Sequence, residues 1–268
     1  MPPAPEHAPP PTPYPSRIVR ALKVALHLLQ ALLTAALLYR RMTPQRRLAF
    51  KQRWSRRLLG ILEIRLDAGV ADVPAGCLIV ANHISWLDIF VINALRPASF
   101  IAKAEVRAWP LVGWLAARND TVFLNRGSRQ HARQVNGEID ARLDAGFDVA
   151  VFPEGRTTDG ARLLEFHAAL LQPAIETGRP VWPMALSYHD AEGRRSLAPS
   201  FAEVTLPQCF AAILACRSLT VRLVPLPPLA TAGRSRRDVS QAARDAIATR
   251  LGFLQPSKAP GTPPDLPA

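Results

Sequence analysis

Short apolar runs alternate with segments of helical period from residue 63 to residue 254, and no other feature constrains the fold as strongly. The apolar runs fall at 63–67, 77–81, 99–103, 121–124, 148–152, 181–188 and 219–226. Helical periods fall between them, at 87–95, 108–118, 128–145, 162–177, 208–216 and 235–254. Strands that alternate with helices predict an α/β fold, a mainly parallel sheet flanked by helices on both faces. In such sheets ligands bind at the carboxyl ends of the strands. His83, Arg126 and Glu154 each stand just after a predicted strand.

The first of these positions opens a dense polar string, Asn82-His83-Ile84-Ser85-Trp86-Leu87-Asp88. A short turn folds an aspartate back onto an imidazole five residues earlier. One ring nitrogen is then held, and the other is free to take a proton from a substrate hydroxyl. His83 and Asp88 are therefore the candidate catalytic pair, with Asn82 and Ser85 as hydrogen-bonding residues of the same loop. Arg126-Gly127 follows the strand at 121–124, placed to meet an anionic group together with backbone N–H groups of the next helix. The turn Pro153-Glu154-Gly155-Arg156-Thr157 follows the strand at 148–152. There Gly155 permits close approach of a ligand. Glu154 is expected to accept a hydrogen bond from an acceptor hydroxyl or to orient Arg126. Arg156 is a second candidate phosphate ligand. The apolar run at 181–186 reads as pocket floor or as core. Ser128 lacks a G-x-S-x-G context, so no covalent acyl-enzyme is indicated. The absence of H-E-x-x-H, P-loop and G-x-G-x-x-G strings leaves no metal and no nucleotide cofactor indicated.

The termini have a different character. Residues 1–16 and 255–268 are proline-rich, without apolar period, and are expected to be disordered. Residues 17–62 form a separate unit ahead of the catalytic unit 63–254. Within it, 24–39 is almost wholly apolar and at ~1.5 Å per residue spans roughly 24 Å, short of a ~30 Å hydrocarbon core. Arg20, Lys23, His27, Gln30, Thr34 and Arg41 make one polar stripe along it. A second helix, 44–62, carries Phe50, Trp54, Leu58 and Ile61 on one face among Arg46, Arg47, Lys51, Arg53, Arg56 and Arg57. Together they predict a membrane-docking helical hairpin. The net charge of +12 points to a polyanion. Its concentration beside apolar helices favours membrane lipids over nucleic acid, for which no motif is present. Cys77, Cys209 and Cys216 have no metal-ligand spacing and read as reduced and structural.

The blocks NHISWLD, FLNRGS, FPEGRT and VWPMAL, in that order, resemble the four motifs of the glycerolipid acyltransferases. That family comprises the 1-acyl-glycerol-3-phosphate and related lysophospholipid acyltransferases. The resemblance implies transfer of an acyl group from acyl-CoA or acyl-carrier protein, as donor substrate, to a lysolipid hydroxyl. It implies 1-acyl-sn-glycerol-3-phosphate as acceptor and phosphatidic acid as product. In its terms His83 is the general base, Asp88 its orienting partner, Arg126 the grip on the acceptor phosphate, and Glu154 and Gly155 acceptor-binding residues. It also implies a site of action at the cytoplasmic face of the inner membrane. Two departures stand out. Arg156-Thr157 reverses the family's usual Thr-Arg order, and Asn125 stands where Asp is common. The stretch Thr157-Thr158-Asp159-Gly160 resembles the subgroup that includes lyso-ornithine-lipid acyltransferases, which is the alternative acceptor.

Overall fold

A computed structural model describes residues 11–70, 73–124 and 129–253, the side chains of 129–132 excepted. Seven strands form one sheet in the order β1-β7-β6-β2-β5-β3-β4. They are β1 (Ile64–Ala68), β2 (Leu78–Ala81), β3 (Ser99–Lys103), β4 (Val122–Leu124), β5 (Val149–Val151), β6 (Val181–His189) and β7 (Leu219–Pro225). β2 to β6 run parallel, whereas β7 is antiparallel to β6 and parallel to β1. The central strand β2 is completely buried. Its side chains alternate between the two faces, as the pleat requires. Ile79 and Ala81 join a core with Trp54, Leu58, Val91 and Ile213, while Leu78 and Val80 join a core with Ile139, Leu143, Val239 and Ile247.

The helices that supply these layers are α1 (Tyr14–Leu37), α2 (Pro44–Ile61), α3 (Asp88–Leu95), α4 (Val112–Arg118), α5 (Arg129–Asp144), α6 (Gln172–Glu176), α7 (Leu206–Ala215) and α8 (Arg236–Leu251). Capping explains several boundaries. Thr43 accepts from the Arg46 N–H at the start of α2, and Ser235 with Asp238 forms a reciprocal box at the start of α8. α8 ends at Gly252 in the left-handed conformation.

Three expectations are corrected. The helix expected over 162–177 is an irregular segment, a 3₁₀ turn (Ala168–Leu171) and the short α6. Tertiary bonds take its backbone instead: Leu164 N–H donates to Glu154, His167 N–H to the Pro153 carbonyl, and Arg244 to the Leu163 and Leu164 carbonyls. The helix expected from residue 108 starts only at Val112, after Pro110. The irregular N-terminal segment expected to reach residue 16 gives way to α1 at Tyr14. Pro15 is tolerated in that first turn, and Thr12 is fixed to the Ala215 and Cys216 carbonyls.

α1 is 24 residues long, about 36 Å, and extends well ahead of the apolar run at 24–39; it is long enough by length and composition to cross a bilayer. Two residues of its polar stripe, Arg20 and His27, however, dock on the domain with Val24, Ala31 and Ala35, while Lys23 and Gln30 stay exposed. Arg20 pairs with Glu63 and donates to the Cys216 carbonyl. His27 stacks on Trp54 at 4.4 Å, and each ring donates to or faces the other residue's carbonyl. The opposite face leaves Leu22, Leu26, Leu29, Leu33 and Leu37 exposed. On α2, Lys51 points into the protein. It is buried, donates to the Ala98 and Asn119 carbonyls, and burial lowers its pKa to about 8. Arg47 and Arg56 likewise donate to the Tyr39 and Ala94 carbonyls.

Candidate active site

β2 ends in a polar device. The side chain of Asn82 donates to the Leu186 carbonyl at 2.9 Å and accepts the Leu186 N–H at 2.8 Å. It thereby continues the β2–β6 ladder past the last backbone pair, Ala81 with Met184, while the main chain turns away. His83 begins that turn. Its N–H donates to Glu154 Oε1 at 2.8 Å, and its carbonyl accepts the Thr158 N–H at 2.8 Å. The loops after β2 and β5 are thus tied at the histidine backbone from both sides.

The His83 ring is held as firmly as its backbone. Nδ1 lies 2.9 Å from Asp88 Oδ2. The same oxygen accepts the N–H groups of Ile84 at 2.7 Å and Ser85 at 2.8 Å, and Oδ1 accepts the Tyr188 hydroxyl at 2.7 Å. Four donors therefore converge on a carboxylate with no solvent exposure. That network assigns the proton to Nδ1 and leaves Nε2 with its lone pair. The ring lies flat on Phe152, centroids 4.0 Å apart and planes 6° from parallel, and Phe152 packs on Phe100. The His83 side chain keeps 18% exposure. Burial, and next the charge and hydrogen bond of Asp88, push the Tyr188 hydroxyl well above its ordinary pKa, so it stays a proton donor to Asp88.

Glu154, expected from the sequence to accept from an acceptor hydroxyl or to orient Arg126, lies inside the protein. Oε1 takes the His83 N–H and Oε2 takes the Leu164 N–H at 2.9 Å. Burial raises its pKa, opposed by those two backbone donors. Asn82 and Ser85 are also buried, so neither is open to substrate in this geometry; both fix the loop. Thr157 spends its hydroxyl on the Phe201 carbonyl at 3.1 Å. Gly155 has φ +71°, which the tight turn demands and which favours glycine. Arg156 is exposed and has no ion pair among the described residues. Arg126 and Gly127 lie outside the described residues. The run 181–186 is core, wholly buried.

Sequence reasoning missed Tyr188 and the stacking role of Phe152. Phe152 stood in a quoted block, and Tyr188 was visible only as the last, hydroxyl-bearing residue of an apolar strand. Among the described residues no three His, Cys, Asp or Glu side chains converge as metal ligands. A concavity of about 430 Å³ beside Gln52, Arg96 and Asp148 opens at the amino ends of β3 and β5, the edge opposite His83. Its carboxylate, Asp148, is already occupied by Arg96 and by the Gly76 and Cys77 N–H groups.

The arrangement is an imidazole held by an anchored carboxylate, at the carboxyl ends of the parallel strands β2 and β5. A sequence model of the acyltransferase family matches residues 65–187, which hold His83, Asp88 and Glu154. The chain is 44% identical over 170 residues to the 1-acyl-sn-glycerol-3-phosphate acyltransferase of Neisseria meningitidis, 63% of this chain and 67% of that one. It is 36% identical over 200 residues to the lyso-ornithine lipid O-acyltransferase of Pseudomonas aeruginosa, 74% of this chain and 76% of that one. In fold it resembles the crystal structure of the 1-acyl-sn-glycerophosphate acyltransferase of Thermotoga maritima, with a TM-score of 0.64 at 21% identity. That likeness covers 91% of this chain and all of the other.

Proposed function

This chain belongs to the acyltransferase family, and on that premise we propose that it moves a fatty acyl group from a thioester to the hydroxyl of 1-acyl-sn-glycerol-3-phosphate, giving phosphatidic acid. The observation that carries this reading is the His83–Asp88 pair, anchored through Nδ1 and with no hydrogen bond to Nε2 among the described residues. The lysolipid hydroxyl gives its proton to His83 Nε2 as its oxygen attacks the thioester carbonyl carbon. Asp88 stabilises the imidazolium that forms. The tetrahedral intermediate collapses, the carbon–sulfur bond breaks, and the imidazolium returns the proton to the leaving thiolate. General acid–base assistance of this kind is worth about 10²–10⁴-fold. The donor is acyl-CoA or acyl-carrier protein. Arg156 is the exposed cation of the third block and, with Arg126, would meet the acceptor phosphate. The exposed apolar face of α1 seats the enzyme on the cytoplasmic face of the inner membrane.

A second acceptor has its own support. The Pseudomonas relative is similar over the longer span, and Arg156-Thr157 departs from the usual order. Lyso-ornithine lipid is that acceptor. Purified enzyme offered both lysolipids, each with acyl-CoA and with acyl-carrier protein, separates the readings. Preference for lysophosphatidic acid is the expected result. Preference for the ornithine lipid would transfer the assignment to that acceptor.

A further inference from the structure

Residues Ala108, Trp109, Pro110, Leu111 and Val112 are five consecutive apolar residues, all exposed. Leu111 is 65% exposed and Trp109 47%, and Trp114 is exposed one turn on. Such a run on a folded surface marks a contact site. It is not a loose loop. Leu111 holds φ +60°, a region that leucine seldom enters, immediately before α4 begins at Val112. At Gly113 a Cβ would meet the Arg107 carbonyl at 2.3 Å, so α4 is pressed against the preceding 3₁₀ turn (Ala104–Ala108). The tip is also electrostatically one-sided. No Asp or Glu occurs from Val106 to Asn119, and the two cations, Arg107 and Arg118, bracket the apolar stretch. Arg118 lies over the Trp114 ring at 5.1 Å.

Its position matters as much as its composition. The tip leaves the carboxyl end of β3, which is parallel to β5 and through it to β2. It therefore stands on the sheet edge that carries His83. Its far end, Asn119, accepts from the Tyr39 hydroxyl at 2.8 Å, beside the C-terminus of α1. The patch thus runs between the catalytic edge and the exposed apolar face of α1.

We propose that residues 108–114 are a second membrane contact, in which Trp109, Leu111, Val112 and Trp114 enter the headgroup–acyl boundary of an anionic bilayer. Tryptophans at both ends with flanking arginines suit that interface, where rings sit at headgroup depth and cations meet phosphate. The contact holds the bilayer against the edge that bears His83, so the acceptor hydroxyl comes to Nε2 from the lipid phase. This rests on the reading that the acceptor is a membrane lipid.

The test is a fluorophore sensitive to polarity, attached at Leu111→Cys in a full-length Cys216→Ser background, with Leu197→Cys as control. Leu197 is equally exposed, at 66%. Vesicles of phosphatidylglycerol and phosphatidylethanolamine should blue-shift the label at 111 and not at 197, and brominated acyl chains should quench it. The double variant W109S/L111S should lose at least tenfold in vesicle affinity. It should keep its turnover of a short-chain lysolipid below its micellar concentration. Vesicle binding with no shift at 111 would overturn the proposal, as would unchanged affinity in the double variant. A shift that follows protein concentration without vesicles would assign the patch to a second copy of the chain and overturn it too. Loss of the acyl-transfer reading would show separately, as absent short-chain turnover in the wild type.

Discussion

Asp88 receives more hydrogen bonds than any geometry needs merely to place a carboxylate beside an imidazole. Two backbone donors and Tyr188 hold it, so the His83 Nδ1–H meets a fixed acceptor. Asp88→Asn leaves an amide facing those donors and removes the charge that favours the imidazolium. We predict a fall in kcat of about 10³–10⁴-fold, measured at saturating acceptor; a fall of only a few-fold would take Asp88 out of the mechanism. Tyr188→Phe removes one of the four donors without changing the packing volume. The expected loss is about 1.5–3 kcal/mol of stability, as for a hydrogen bond to a charged group, read by denaturant unfolding; an unchanged midpoint would contradict it. The pair His83–Asp88 was legible because both residues lie in one turn of seven positions. Tyr188 was not, because a contact across 100 positions of sequence leaves no local pattern.

At the scale of elements, every predicted strand is present, because burial on two faces writes long apolar runs into β2, β5 and β6. The helix misread at 162–177 shows the limit. Its period is helical, but Glu154, Pro153 and Arg244 bind the backbone first, and those anchors lie far away in sequence. Glu154→Gln keeps one acceptor oxygen where two are used. One buried N–H then goes unpaired at a cost of about 1–3 kcal/mol. The Leu164 or His83 amide should lose hydrogen-exchange protection; unaltered protection of both would refute the clamp. Lys51 offers a second test. Its pKa falls from 10.5 unfolded to about 8 folded. Between these values the unfolded chain holds a proton that the folded chain has released, so stability rises with pH across the window. The contribution is fully present above 10.5 and is lost as pH falls through about 8. Its size is on the order of 3 kcal/mol. Lys51→Met should flatten the wild-type rise in denaturant midpoint from pH 7.5 to 10, whereas parallel slopes would contradict the burial account.

Over the whole molecule, the docked residues and the exposed leucines lie on opposite faces of α1. Arg20 with Glu63 and His27 with Trp54 fasten it to the domain, and the other face is exposed and apolar, as the proposed membrane seat requires. Of the stripe read from the sequence, Arg20 and His27 dock, Lys23 and Gln30 are exposed and Arg41 lies past the end of α1; the packing depends on partners in α2 and after α7. The acceptor's headgroup is the least legible part. Two of the residues that bear on it, Arg126 and Gly127, lie outside the described residues, and a third, Arg156, is exposed with its order reversed.

The most direct test of the account is acyl transfer to lysophosphatidic acid from a long-chain acyl-CoA or acyl-carrier protein, by full-length enzyme in mixed micelles. Wild type and His83→Ala are to be measured side by side. The account predicts a loss of about 10³-fold or more in kcat, with vesicle binding unchanged. A His83→Ala enzyme within a few-fold of the wild-type rate would contradict it.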